Sequence, residues 1–166
     1  MDERGSIEIS FGMIFSIIVM IAIIGVAVYA ITAFLQIGKV TEMSLFYQRF
    51  QENVDGAWSS ATTNKVVSLS IPKQISFVCF GSLNSAFPAK YQDEFNSLRE
   101  YSSAFQQQNT NTFLYPPKNA GKFAFKKVEK IDTSSLVFDC FEVKNGIVKI
   151  RLSKSEFDSL VKVGHE

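Results

Sequence analysis

The first forty residues of the chain contain a long, mostly apolar run without a charged side chain. From Ile9 to Gly38 there is no acidic or basic residue, and Ile, Val, Met, Phe and Ala dominate. About 20 apolar residues, each adding about 1.5 Å, already cross the ~30 Å hydrocarbon core of a bilayer. A lone segment in lipid can satisfy its backbone hydrogen bonds only as a helix. The pattern therefore predicts a transmembrane helix over residues 9–38, preceded by a short charged leader over residues 1–8.

Two other interpretations of this run fit its length less well. A cleaved secretory signal could be processed near Val28-Tyr29-Ala30, but the apolar region of such signals is only about 7–15 residues long. A buried core helix would need more chain around it than the remaining residues provide. We therefore expect a permanent membrane anchor.

After Lys39 the apolar residues recur at alternating spacings of three and four. This spacing draws one stripe along a helix, with most charged residues off it. The stripe consists of Val40, Met43, Tyr47, Phe50, Val54 and Ala57. The pattern predicts that the helix continues as an amphipathic extension over residues 39–60. The whole helix would run from about Ile7 to about Trp58. We expect the stripe to pack on the domain's own sheet rather than on a partner.

The remaining residues, 61–166, alternate short β-type runs with one amphipathic helix. The helix is expected over residues 90–105, and extended runs over residues 65–71, 74–80, 112–117, 122–128 and 158–163. Residues 135–152 read as a hairpin, because Asn145-Gly146 suits the positive φ angles of a type I′ turn. The fold class is α+β: a long N-terminal transmembrane helix continuing into a small domain with a mostly antiparallel sheet and one further helix.

Phenylalanine is abundant outside the apolar run, which predicts an aromatic core in the small domain. The residues expected there are Phe77, Phe80, Phe113, Phe123, Phe125, Phe138, Phe141 and Phe157.

Two cysteines lie in the middle of predicted strands, each between aromatic residues. Cys79 is in "FVCFG" and Cys140 in "FDCFE", which favours buried positions. The pair could form one disulfide between strands, or remain two free thiols that behave as small apolar side chains. We expect the disulfide if the domain lies outside the cytoplasm.

The charge of the chain is nearly balanced but locally uneven. Five lysines lie close together, with Glu129 as the intervening acid: Lys118, Lys122, Lys126, Lys127 and Lys130. Such a basic patch could bind anionic lipid or a surface polymer, or it could be the solvated face of a strand and loop. No nucleic acid partner is expected.

Little in the sequence is typical of catalysis or cofactor binding. His165 is the single histidine, so Ser-His-Asp and His-based metal sites are not expected. Two cysteines without histidine partners are too few for structural zinc. We assign the pair Asp93-Glu94 to a polar helix face, and Asp139 with Glu142 to the outer face of a strand. We expect no catalytic residue, no cofactor and no metal.

The segment "RGSIEISFGMIFSII" resembles the N-terminus of type IV pilin-like proteins, especially the archaeal ones. They have a short charged leader ending in glycine, a polar stretch with a glutamate, and then a long apolar helix. The resemblance implies processing after Gly5, a mature chain beginning at Ser6, and a role for Glu8 in assembly. In that family the glutamate is usually the fifth residue after the cut, whereas here Glu8 is third and Ser10 is fifth.

The chain as a whole is similar to uncharacterised archaeal single-span membrane proteins. The shared segments are the apolar start, Pro72 to Phe80, Phe113 to Pro117, and Cys140 to Ile150. This similarity carries no known activity. The expected function is a non-enzymatic, single-pass membrane-anchored protein, such as a pilin-like or minor-pilin subunit. Its partners would be the bilayer and other pilin-like subunits, bound through the N-terminal helix. The alternative is a membrane-anchored module that binds anionic lipid or surface polymer.

Glu8 stands directly before the apolar run and has two possible roles. In a pilin-like assembly its carboxylate would neutralise the N-terminal amine of a neighbouring subunit, since a charge in hydrocarbon costs about 2.5–3.5 kcal/mol and needs a partner. Alternatively it lies hydrated in the first helical turn, where the helix dipole favours a negative charge by about 0.3–1 kcal/mol.

The orientation in the membrane is only weakly encoded. Arg4 precedes the apolar run, whereas Lys39 and Arg49 follow it, so basic residues alone would keep the domain inside. Pilin-like precursors insert with the N-terminus inside, and the two cysteines agree with an oxidising exterior. We expect a cell-membrane protein whose domain lies outside the cytoplasm.

Overall fold

The computed structural model describes residues 11–84, 88, 90–105, 109–133 and 138–166, without the side chains of residues 36, 37, 104 and 105. The chain divides into two compact units, of which the first ends at Lys39 and the second comprises Val40–Glu166. A long N-terminal helix is followed by a small domain with two mostly antiparallel sheets and a further helix. The predicted α+β fold class is confirmed.

Helix α1 comprises Phe11–Ser59 and is 49 residues long. Between Phe11 and Leu35 every described side chain is exposed except that of Ala33, which is half-buried. Within the described part of the chain, α1 is the one helix long and apolar enough to cross a membrane.

The C-terminal part of α1 is the core helix of the domain. Five of the six predicted stripe residues are buried: Met43, Tyr47, Phe50, Val54 and Ala57. The prediction was wrong for Val40, which is 42% exposed, and it missed Phe46, which is 1% exposed. Phe46 lies one turn before Phe50, and their rings stack with centroids 6.1 Å apart. The buried surface is therefore wider than a single ridge of the helix.

Within the described residues, eight strands form two four-stranded sheets. The strands are β1 (Thr63–Ser70), β2 (Phe77–Gly81), β3 (Thr112–Tyr115), β4 (Phe125–Lys126), β5 (Ile131–Asp132), β6 (Phe138–Glu142), β7 (Ile147–Lys154) and β8 (Val161–Gly164). One sheet has the order β1-β7-β8-β5 and the other β4-β3-β2-β6. All pairs are antiparallel except β5 with β8. Helix α2 (Gln92–Phe105) precedes β3, and a short helix α3 (Pro117–Ala120) follows it.

The predicted hairpin is present only as a turn. Asn145 and Gly146 have φ angles of 55° and 77°, and Lys144 and Ile147 exchange backbone hydrogen bonds of 2.9 and 3.0 Å. Beyond this bridge the strands separate, because β6 pairs with β2 in one sheet and β7 pairs with β1 in the other. The turn therefore connects the two sheets.

The predicted strand over residues 122–128 is mostly irregular. A 3₁₀ turn occupies Gly121–Phe123, and only Phe125–Lys126 forms a strand. The irregular stretch contacts α1, because the hydroxyl of Tyr47 donates a hydrogen bond to the carbonyl oxygen of Phe123.

The aromatic core is largely as expected from the sequence. Five of the eight predicted phenylalanines are buried: Phe80, Phe113, Phe125, Phe138 and Phe141. Phe77 and Phe123 are half-buried and pack against this core. Phe157 was wrongly assigned to it: its side chain is 96% exposed, because it lies in the turn between β7 and β8.

Candidate functional site

Cys79 and Cys140 form a disulfide in the centre of one sheet. They face each other directly across β2 and β6, and their sulfur atoms are 2.01 Å apart. Both side chains are fully buried. The predicted disulfide is confirmed, and within the described residues no cysteine is free.

A polar cluster lies beside this disulfide on strand β6. One carboxylate oxygen of Asp139 accepts a hydrogen bond from the backbone N–H of Cys140 at 2.9 Å, and the other lies 2.8 Å from Nε2 of His165. The imidazole of His165 stacks on Phe141, with ring centroids 4.3 Å apart. The sequence offered no signal for this contact beyond the presence of a single histidine. The cluster fixes the C-terminal segment to the disulfide-bearing sheet.

Two of the five lysines in the predicted basic patch form ion pairs in the structure. Lys127 forms an ion pair with Glu129 at 3.1 Å, and Lys130 forms one with Asp55 at 3.1 Å. The ammonium of Lys130 also lies 4.2 Å from the ring centroid of Trp58. In the part of the chain that the structure describes, the other three lysines have no ion pair: Lys118, Lys122 and Lys126. Lys122 instead lies over the ring of Phe123, 5.4 Å from its centroid.

Two of these lysines border a groove of about 270 Å³ beside α1. We call it the α1–β4 groove. The helix contributes Ser44, Tyr47, Gln48 and Gln51, and the opposite wall is Phe123 with Lys126, Lys127 and Val128. Lys126 and Lys127 are the charged residues in this lining, and both are basic, so the groove is suited to an anion.

Hydrogen bonds join the two walls of the α1–β4 groove. Tyr47 Oη donates to the carbonyl oxygen of Phe123 at 2.8 Å, and burial raises the pKa of Tyr47 well above its ordinary value, which keeps the hydroxyl protonated. Further along α1, Gln51 Oε1 accepts a hydrogen bond of 2.9 Å from the N–H of Glu129. Gln51 Nε2 donates one of 3.3 Å to the carbonyl oxygen of the same residue. The groove is therefore part of the folded domain and not a gap between mobile loops.

A second polar cluster closes the turn between β7 and β8. Asp158 forms an ion pair with Lys162 at 2.6 Å and accepts hydrogen bonds from the N–H and the hydroxyl of Ser155 at 2.8 and 2.7 Å. The hydrogen bond from Lys162, followed by those from Ser155, holds the pKa of Asp158 well below its ordinary value. This arrangement stabilises the turn that carries the exposed Phe157.

Gly5, Ser6 and Glu8 lie outside the described residues. Among the residues that the structure describes, no group of three or more His, Cys, Asp or Glu side chains could hold a metal ion.

The comparisons with known proteins add no family. No protein-family model matches the chain, and neither a curated protein nor a solved structure is significantly similar to it. The chain is defined by its own architecture: a helix long and apolar enough to span a membrane, together with a small disulfide-bonded α+β domain.

Proposed function

We propose that this protein is a non-enzymatic, single-pass membrane protein of the pilin-like class. The proposal rests on one observation: helix α1 has an apolar part and a part that belongs to the domain core. Its side chains up to Leu35 are mostly apolar and, except for that of Ala33, exposed, whereas the buried residues between Met43 and Ala57 belong to the domain core. The long apolar segment is what the pilin-like resemblance implies, and the amphipathic segment joins it to the domain.

The apolar segment of α1 must be buried away from water by something outside this chain's own domain. Seventeen large apolar or aromatic side chains between Phe11 and Leu35 are exposed. Burying one such side chain contributes roughly 1.5–3 kcal/mol, so covering the segment is worth on the order of 20 kcal/mol or more. A bilayer supplies that cover, and in a pilin-like assembly the apolar helices of other copies would supply part of it.

The disulfide supports a domain outside the cytoplasm. Disulfides persist in oxidising compartments and are rare in the cytosol, where thiols are kept reduced. The buried bond between Cys79 and Cys140 favours the orientation in which the N-terminus is inside and the domain outside.

Alkaline extraction and protease protection test the anchoring and the orientation together. The protein should remain in the membrane pellet at high pH, because the apolar segment is held by lipid and not by charge. Protease added outside intact cells should cleave the domain without cell lysis. Release of the protein by alkali contradicts the anchor. Domain fragments that appear only after cell lysis contradict the external orientation.

A second candidate function is a membrane-anchored binding module for anionic lipid or surface polymer. The specific observation in its favour is that Lys118, Lys122 and Lys126 have no ion pair within the described residues, so their charge is available to an anion. Binding to anionic vesicles that weakens steeply between low and physiological salt would support it. Salt-independent binding, or none, would contradict it.

A further inference from the structure

We infer that the α1–β4 groove binds the phosphate of an anionic lipid headgroup, with Lys126 and Lys127 as its charged ligands. This inference rests on the membrane anchoring proposed above, and it does not depend on assembly into a filament. It assigns a defined site to one part of the lysine-rich segment and leaves the other lysines outside that site.

The two lysines are available to a phosphate to different degrees. Lys126 is exposed and has no ion pair in the described part of the chain, so its ammonium needs only to exchange water for a ligand. Lys127 is paired with Glu129 at 3.1 Å. Because both partners are exposed, this pair contributes little, and a headgroup phosphate that bridges Lys126 and Lys127 can compete with the carboxylate for Lys127.

Neutral donors in the same groove complete the phosphate site. Ser44 lines it with an exposed hydroxyl, and in the described residues that hydroxyl has no hydrogen-bond partner. Gln48 also lines the groove, and its side-chain amide donates to Glu52 at 3.0 Å, one turn along the helix. A phosphate oxygen accepts hydrogen bonds from hydroxyl and amide groups as well as from ammonium groups. The lining therefore offers both the charge and the neutral donors that phosphate requires.

The groove is formed before any ligand binds. The Tyr47–Phe123 hydrogen bond and the two hydrogen bonds between Gln51 and Glu129 hold its walls together. A ligand therefore does not have to order the backbone on arrival, and this lowers the entropic cost of binding. The ligand has to order side chains only, chiefly those of Lys126 and Lys127.

The position of the groove in the chain favours a lipid phosphate over a soluble one. Ser44 follows Gly38, the last residue of the apolar run, by six residues. Six residues extend at most about 20 Å, so Ser44 cannot lie far from the headgroups if the apolar run is in the bilayer. Near an anionic surface each lysine strengthens attraction about fivefold. The headgroup phosphate is thus the anion most concentrated at this site.

Hydrogen exchange on the full chain in lipid nanodiscs tests the inference. Discs of phosphatidylcholine are compared with discs that also contain phosphatidylglycerol, and exchange is followed at the backbone amides of Phe123–Val128. Phosphatidylglycerol should slow exchange there several-fold, and added salt should reverse the effect. The double variant Lys126→Gln/Lys127→Gln should lose the protection. The matched variant Lys118→Gln/Lys122→Gln removes equal charge outside the groove and should keep it.

The other outcomes count against the inference. Equal loss of protection in both double variants would indicate general charge attraction and overturn a defined site. Absence of protection in anionic discs would also overturn it. Protection by soluble polyphosphate in neutral discs, without an effect of phosphatidylglycerol, would contradict the headgroup assignment. Failure of the full chain to enter neutral discs would instead contradict the anchoring itself, so the two failures are distinguishable.

Discussion

The ring of Phe50 on α1 packs against the ring of Phe80 on β2, with centroids 5.4 Å apart and planes inclined at 47°. Both side chains are fully buried. Phe80 in turn meets Phe141 of β6 edge to face at 5.4 Å. This contact joins the helix that continues the apolar segment to the sheet that carries the disulfide, so the domain cannot keep its core without α1.

Phe50→Asp should unfold the domain or detach it from α1. A carboxylate at a fully buried position without a partner is strongly destabilising, and loss of a large core side chain alone costs about 3–5 kcal/mol. Phe157→Asp is the matched control, because Phe157 is 96% exposed and its replacement should change stability by less than about 0.5 kcal/mol. Thermal unfolding and limited proteolysis of the two variants measure the difference. Native stability of the Phe50 variant would show that the stripe is not core.

Cys79→Ala/Cys140→Ala should lower the free energy of unfolding by about 4 kcal/mol. The disulfide joins residues separated by 61 positions, and closing a loop of that size restricts the unfolded chain by about this amount in the loop-entropy account. The shift in denaturant midpoint between wild type and double variant measures the loss. Coincident midpoints would contradict a stabilising disulfide in this domain.

Tyr47→Phe should cost about 1 kcal/mol, the net contribution of one typical hydrogen bond. The variant keeps the buried ring and loses only the hydroxyl that donates to Phe123. Tyr115→Phe is the control, since in the described part of the chain the hydroxyl of Tyr115 has no hydrogen-bond partner and its ring contact with Phe77 is kept. Equal effects of the two substitutions on the unfolding midpoint would mean that the hydrogen bond from Tyr47 to Phe123 does not stabilise the domain.

The turn between β7 and β8 should weaken in acid. The folded-state pKa of Asp158 lies below the ordinary value of 3.8 because Lys162 and Ser155 bind the carboxylate. The stability it contributes is therefore present above 3.8 and is lost as the pH falls below that value through the folded-state pKa. The amide proton shift of Ser155 should titrate with a midpoint below 3.8, and the titration should vanish in Asp158→Asn. A midpoint at 3.8 would contradict the bonded turn.

Local periodicity was sufficient to predict the helix and most of its buried face. It missed Phe46, because the predicted stripe followed a single ridge whereas the sheet covers a broader strip of α1. It included Val40 wrongly, because the spacing of apolar residues does not indicate where the covering sheet ends. Phe157 was wrongly assigned to the aromatic core for a similar reason. Composition does not distinguish an aromatic residue in a turn from one in a strand.

Strand pairing depended on contacts that short patterns do not contain. Asn145-Gly146 predicted a tight turn correctly, since the required φ angles are a local property. The choice of β1 for β7 and of β2 for β6 depends on distant segments. A local hairpin was therefore a reasonable prediction, but it was wrong.

The candidate site was predictable only in outline. The five lysines lie close together in the sequence, but Lys130 forms an ion pair with Asp55, which lies 75 positions away. The opposite wall of the groove comes from α1 and is equally distant in sequence. The sequence could therefore indicate a basic segment but not which of its charges remain unpaired.

The intact mass of the protein extracted from its native membrane tests the pilin-like account most directly. The account predicts a chain that lacks Met1–Gly5 and begins at Ser6, so that the new amine is two residues before Glu8 in the sequence. It also predicts that Cys79 and Cys140 resist alkylation under denaturing conditions until a reductant is added. A chain that retains its leader would contradict the pilin-like class, and two freely alkylated thiols would contradict an external, disulfide-bonded domain.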